Sequence, residues 1–114
     1  MTAALEAVDR ILNRGGDADD VLRAVVETLV ERGICAWAGV LLVEDGTLVL
    51  GPQAGAPDES SRTTVRVDFR GDRVGELAAD GASDRAVLER VARLISPYAL
   101  IGWDTGGVAW EDLG

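Results

Sequence analysis

The sequence contains no histidine, no lysine and a single cysteine, Cys35, among its 114 residues. Without histidine, the Ser-His-Asp and Cys-His arrangements of nucleophilic catalysis are excluded. One cysteine cannot form an intrachain disulfide, and a structural zinc site would have to be built almost wholly from carboxylates, which such sites rarely use. We therefore predict no catalytic residue, no metal site and no cofactor, and we expect Cys35 to be a small buried side chain.

Positive charge is also scarce, because 11 basic residues, all arginine, face 20 acidic ones and leave a net charge of −9. Binding to nucleic acid or to an anionic membrane needs clustered cations, so neither partner is expected. No apolar run approaches the roughly 18 residues of a membrane-spanning helix. The N-terminus shows no basic segment followed by an apolar run, and the sequence therefore predicts a cytoplasmic protein.

The chain is long enough for one domain, which we expect to fill residues 1–114 with a core at about 3–101 and a tail at 102–114. Apolar residues at helical spacing predict helices over about 3–14, 18–32 and 84–101. Pro97 is expected to kink or end the first part of the last helix. The expected capping residues are Thr2, Asp17 or Asp19, and Ser83.

Four strands are predicted from the remaining pattern, at about 36–43, 47–51, 63–69 and 73–79, with a loop over 52–62. The first two form a hairpin around the two-residue turn Asp45-Gly46, and both are apolar on both faces, so something must cover each side. In the second hairpin a two-residue loop would mix apolar with polar faces. We therefore predict a three-residue or bulged turn that sets Val65 and Val67 beside Leu77 and Gly75.

Two helices, four strands and a last helix indicate an α+β domain with helices on one face of an antiparallel sheet. Two stretches also resemble a known family: Ala-Trp-Ala-Gly-Val-Leu at 36–41 and Leu-Val-Leu-Gly-Pro-Gln-Ala-Gly-Ala-Pro at 48–57. They are similar to the Asn-Trp-x-Gly-Phe-Tyr and Leu-x-Leu-Gly-Pro-Phe-x-Gly-x-Pro elements of the free methionine-(R)-sulfoxide reductases, members of the GAF superfamily. Residues 74–77, Val-Gly-Glu-Leu, resemble the last GAF strand. The resemblance implies a GAF-like (profilin-like) sheet of about 4–5 strands and a homodimer formed through the terminal helices.

The chemistry of those reductases does not carry over to this chain. Asp58-Glu59 stand where the family has a cysteine, and the long cysteine-bearing excursion that closes over the substrate is missing, so the ligand lid is truncated. Ser61-Arg62 replace a Ser-Glu element of the family, which reverses a charge. Of two late aspartates in the family, one falls on Ala78 and the other is kept as Asp80.

These departures leave three hypotheses. The favoured one is a non-catalytic GAF-like interaction module that forms a homodimer. The second is a small-molecule sensor, and the third is an enzyme that uses Arg66 and Glu76 in a closed cleft. The ligand side of the family corresponds here to a face with apolar residues and convergent charges, which could equally be a solvated sheet face with an Arg66–Glu76 pair. The expected ligand-binding residues are Trp37, Leu41, Arg66, Glu76 and Asp80.

The last residues of the chain bring two further tryptophans, Trp103 and Trp110, into a glycine-rich segment. One interpretation is that this tail, from the same or a second subunit, covers the apolar floor around Trp37 and Leu41 in place of the lost lid. The other is a frayed terminus with two incidental aromatic residues.

Overall fold

The computed structural model describes residues 2–82 and 84–106. It confirms the predicted α+β class and the order of the elements. The elements are helix α1 (Thr2–Arg14), helix α2 (Ala18–Glu31), strand β1 (Trp37–Glu44), strand β2 (Thr47–Gly55), a short 3₁₀ turn (Glu59–Ser61), strand β3 (Arg62–Phe69), strand β4 (Asp72–Asp80) and helix α3 (Arg85–Gly106).

The four strands form one antiparallel sheet in the order β2-β1-β4-β3. Helices α2 and α3 pack against one face of this sheet, and α1 packs on those two helices rather than on a strand. The core lies between the sheet and the helices and includes Leu22, Leu29, Val40, Leu77 and Leu88, all with no exposed surface. The opposite side of the sheet, against which none of the three described helices packs, is called the outer face below.

Strand β2 is longer than predicted, because it continues through Pro52 to Gly55, where the sequence indicated a loop. The register with β1 shifts between Gly39 and Leu41, so that Gly51 and Pro52 together oppose Val40. A bulge on an edge strand is one of the few places where a sheet accommodates proline, since its missing N–H is not needed for the ladder. Strand β2 therefore continues past Pro52 through a bulge, and the predicted start of a loop at residue 52 was wrong.

The second hairpin confirms the predicted bulge. Val65 lies opposite Leu77 and Val67 lies opposite Gly75, while the register shifts between Val67 and Asp68. Val74 is the extra residue of this bulge and is buried in the core cluster. Simple alternation from Gly75 and Leu77 would put Val74 on the other face. It lies in the core because a bulge changes the direction of the side chain that it inserts.

Helix α3 does not end near residue 101 but runs through Pro97 to Gly106, so residues 102–106 and the backbone of Trp103 are helical. Pro97 has no N–H to donate to the carbonyl of Arg93, and the Ser96 hydroxyl donates to that oxygen instead, at 2.9 Å. This bond removes part of the usual cost of a proline inside a helix. Trp110 lies outside the described residues, so the predicted cover of the sheet by the tail lies outside them as well.

The start of α3 also differs from the expectation. The Asp84 carboxylate accepts hydrogen bonds from the backbone N–H groups of Ala86 and Val87, at 3.0 and 3.4 Å. Asp84 therefore caps this helix, and Ser83, the predicted cap, lies outside the described residues. Asp17 is the N-cap residue of α2 by position, without a side-chain capping bond.

Candidate ligand site

Trp37 opens β1 and lies on the outer face, opposite Gly55 on one side and Asp80 on the other. Only 3% of its surface is exposed, although none of the helices in the described ranges covers this face. Its indole ring lies over Gly39, where a Cβ atom would stand 2.7 Å from two carbons of the ring. The indole N–H donates to the Gln53 side-chain oxygen at 3.0 Å. Glycine at position 39 and Gln53 on the neighbouring strand therefore fix the position of the ring.

The cover over Trp37 is the guanidinium group of Arg62, whose central carbon lies 4.4 Å from the centroid of the indole ring. The same group donates two hydrogen bonds to Asp80, from Nε to Oδ1 at 2.8 Å and from a terminal nitrogen to Oδ2 at 2.9 Å. Asp80 has no exposed surface, whereas 29% of the Arg62 side chain is exposed. A guanidinium that stacks on an aromatic face while it binds a carboxylate through two bonds has both of its preferred interactions.

The 3₁₀ turn before β3 completes the cluster. The backbone N–H of Asp58 donates to Asp80 Oδ2 at 2.6 Å. The Asp58 carboxylate in turn accepts from the backbone N–H of Ser60 at 3.2 Å and from its hydroxyl at 2.6 Å. Every buried side-chain nitrogen and oxygen in the part of the chain that the structure describes has a hydrogen-bond partner. The short link between β2 and β3 is therefore held in place by its hydrogen bond to Asp80.

Hydrogen bonding from Arg62 holds the pKa of the Asp80 carboxyl below its ordinary value, against the opposing effect of burial, and the Asp58 N–H acts in the same direction as Arg62. The hydrogen bond to Asp80 likewise raises the pKa of Arg62. Both groups consequently remain charged at neutral pH, and the pair is ionic rather than a neutral hydrogen bond.

The five residues expected to bind a ligand all lie on the outer face, but they divide into two parts. Trp37 and Asp80 lie at the end closed by Arg62. Leu41 lies opposite Glu76, which in turn lies opposite Arg66, further along the strands.

The predicted Arg66–Glu76 ion pair is not formed, although the two residues are cross-strand neighbours. Arg66 pairs with Asp68 at 3.1 Å, and Glu76 pairs with Arg73 at 3.5 Å. The Arg66 side chain is 60% exposed. This part of the outer face is therefore a solvated sheet surface rather than a cleft.

Sequence reasoning noted Arg62 for the charge that it reverses relative to the family but did not count it among the expected ligand-binding residues, and it missed Gln53 and Asp58. The pairing of Arg62 with Asp80 was within reach, because the bulged register that puts Val65 beside Leu77 also puts Arg62 opposite Asp80. Gln53 could not be found, since it was assigned to a loop and faces Trp37 only because β2 continues past Pro52.

Cys35 is buried, as expected. Burial, and to a lesser extent the negative charge of Asp80, raises the pKa of its thiol to about 11. Because thiol chemistry requires the thiolate, this side chain is unreactive at neutral pH. Among the described residues no group of three or more histidine, cysteine, aspartate or glutamate side chains is arranged to hold a metal ion. No helix in the described ranges is long and apolar enough to cross a membrane.

Comparison with solved structures shows which known folds this one resembles. The GAF domain of a phosphoenolpyruvate-protein phosphotransferase from Acinetobacter superposes with a TM-score of 0.71 at 14% identity, covering 91% of this chain and 97% of that one. The fold is GAF-like. The type II free methionine-R-sulfoxide reductase of Thermoplasma acidophilum has a TM-score of 0.62 at 18% identity, over 72% of this chain and 92% of that one.

A third GAF-like structure, the free methionine-R-sulfoxide reductase of Neisseria meningitidis in complex with its substrate, has a TM-score of 0.66 at 16% identity and covers 86% of this chain and 90% of that one. No protein-family model and no curated protein sequence matches the chain. The GAF-like fold anticipated from the elements around Trp37 and Pro52 is thus confirmed, and the sequence identities are too low to carry an activity with it.

Proposed function

We propose that this chain is a non-catalytic GAF-like interaction module that acts as a homodimer. The observation that carries the proposal is the Arg62 guanidinium, which fills the space over Trp37 and neutralises Asp80. These two residues lie on the side of the sheet where the family resemblance leads us to expect a ligand. A site occupied by a side chain of its own domain has no room for a substrate.

The remaining candidates for chemistry support a non-catalytic role. The single thiol, Cys35, is buried and has a raised pKa, and no second cysteine can resolve an oxidised intermediate. Arg66 is largely exposed and bound to Asp68 on its own strand. An acid–base pair in a water-excluding cleft, which the enzyme hypothesis requires, has no counterpart in this arrangement. A free buried thiol also suits a reducing compartment, and we propose a cytoplasmic location.

The surface that we assign to the dimer lies between α1 and α3, on the side away from the sheet. An open groove there is lined by Leu5, Glu6 and Asp9 of α1 and by Arg90 and Leu94 of α3. In a twofold contact each patch meets a copy of itself, so an interface needs both an apolar centre and charges of both signs. The two leucines form the apolar centre. The acidic residues of α1 and the arginine of α3 provide charges of both signs.

Light scattering after size-exclusion chromatography tests this interface. We expect the wild-type chain, of 12.0 kDa, to elute with twice that mass. Leu94→Arg should shift it to the monomer, because it places a charge in the apolar centre. The matched control is Leu50→Arg, which puts the same side chain on the outer face, where Leu50 is already 45% exposed. A strict monomer at high protein concentration, or dissociation by the control alone, contradicts the assignment.

The alternative function, a small-molecule sensor, is favoured by one observation: Trp37 and Asp80 combine an aromatic face with a buried carboxylate. A compound that binds there must displace Arg62. It would raise the melting temperature by mass action and change the fluorescence of Trp37. A metabolite library that leaves both quantities unchanged in the wild-type chain counts against sensing and agrees with a permanently filled site.

A further inference from the structure

The surroundings of Arg62 have the composition of a binding site for an organic cation. Such sites combine an aromatic face, which attracts the cation through the ring quadrupole, with a carboxylate removed from water. Here the aromatic face is that of Trp37 and the carboxylate is that of Asp80, which has no exposed surface. The cation that both groups contact is part of the same chain.

The two walls of the site are held by contacts that do not involve Arg62. Trp37 is fixed by its hydrogen bond to Gln53 and by the absence of a side chain at Gly39. Asp80 lies within β4, directly opposite Trp37, and accepts the Asp58 N–H at 2.6 Å. Removal of the Arg62 side chain beyond Cβ therefore takes away the cation but leaves the ring and the carboxylate in place.

We propose that this is a guanidinium-binding site whose ligand is the tethered Arg62 side chain, and that free guanidinium or amidinium compounds bind there once the tether is cut. The geometry selects this class, because two parallel N–H groups reach Oδ1 and Oδ2 of Asp80 while the planar group lies 4.4 Å above the indole ring. A primary amine matches only part of this arrangement, since it is a compact charge without a planar pair of donors.

In the wild-type chain a free compound must compete with a tethered group, whose effective concentration is on the order of millimolar or higher. Weak cationic ligands are therefore excluded from the intact protein. The inference goes beyond the proposed function, because it assigns the ligand chemistry of the site. The interaction module is tested by the oligomeric state. A failure of the guanidinium-binding proposal would leave that result unchanged.

The experiment uses the full chain with Trp103→Phe and Trp110→Phe, so that Trp37 is the only tryptophan. Arg62→Ala in this background is titrated with methylguanidinium chloride up to about 50 mM, well below denaturing concentrations, at constant ionic strength. We expect a saturable change in Trp37 emission in the millimolar range and a rise in melting temperature. Methylurea, a neutral compound of the same shape, should give neither effect.

Two control variants separate site binding from general effects. Arg66→Ala removes an exposed arginine from the same strand and the same face, and it should not respond to methylguanidinium. Arg62→Ala combined with Asp80→Asn keeps the cavity but removes its charge, and affinity should fall at least tenfold.

A folded Arg62→Ala chain without a saturable response overturns the proposal, and so does an equal response to methylurea or in the Arg66→Ala control. If Arg62→Ala does not fold alone, far-UV circular dichroism becomes the measurement. Methylguanidinium must then restore the helical signal where methylurea does not. Failure of that rescue also overturns the proposal.

Discussion

The position of the Trp37 ring over Gly39 can be tested with a single methyl group. In Gly39→Ala the new Cβ would stand 2.7 Å from Cζ2 and Cη2 of the indole ring. Carbon atoms in contact are normally about 3.5 Å apart, so the ring has to retreat by roughly 0.8 Å. That movement disturbs its 3.0 Å hydrogen bond to Gln53 and its stacking against Arg62.

The size of the effect follows from two opposing contributions. Overpacking a fixed site costs about 1–3 kcal/mol. Replacing glycine by alanine inside a strand gains about 0.5–1 kcal/mol when there is space for the methyl group. We therefore expect Gly39→Ala to lower the free energy of unfolding by about 1–2 kcal/mol. In a Trp37→Phe background the two clashing carbons are absent, and the same substitution should be neutral or stabilising by about 0.5 kcal/mol.

Urea denaturation followed by far-UV circular dichroism measures both pairs of proteins, at one fixed protein concentration because the proposed dimer would make stability concentration-dependent. In thermal unfolding the expected loss corresponds to a fall of roughly 4–8 °C for Gly39→Ala in the wild-type background. An equal loss in both backgrounds would refute the reasoning. It would show that the cost of Gly39→Ala arises from the backbone or from Leu50, whose Cδ1 would lie 3.1 Å from the new Cβ, and not from a ring lying on this residue.

Two further predictions concern the buried charge and the thiol. Asp80→Asn should destabilise the protein by about 2 kcal/mol at pH 7, because Arg62 loses its counter-ion. Since Asp80 has a lowered pKa in the folded state, its contribution is complete above an unfolded-state pKa of about 3.9 and is lost as the pH falls through the folded-state value. Urea midpoints of the two proteins should converge in acid, and a constant difference down to about pH 2.5 would contradict this. Cys35, with a pKa of about 11, should react with iodoacetamide at neutral pH only after unfolding in urea, and rapid labelling of the folded chain would contradict its burial.

The Asp45-Gly46 turn was sufficient to predict the first hairpin. The alternation of apolar residues was sufficient to predict the second, because register moves a whole strand between core and solvent. Leu41 pairs with Leu50, and Val43 with Leu48, as the Asp45-Gly46 turn requires. The bulge of the second hairpin followed in the same way, from the need to keep Val65 and Leu77 on one face.

The error at the end of β2 arose at a proline, whereas the helix predicted over 84–101 already ran past Pro97 and was ended too early at the glycine-rich segment. Pro52 and Pro97 were interpreted from their local preference, which disfavours continuing a strand or a helix. Pro52 is accommodated by a bulge on the edge strand β2, and Pro97 by the Ser96 hydroxyl, which donates to the carbonyl that the proline leaves free. Each compensation depends on a neighbouring residue, so a local preference alone could not predict it.

The sequence by itself determined the class of the fold, the order of its elements and the absence of histidine and paired-cysteine chemistry, because these follow from periodicity and composition. What covers Trp37 was decided only by the tertiary structure. Arg62 and Asp80 are 18 positions apart, and a bulged hairpin brings them together above a ring that β1 places there. The amino-acid composition gives the number of charged residues but not which of them form ion pairs. The strength of the Arg62–Asp80 pair depends on burial, which exists only after the sheet has formed.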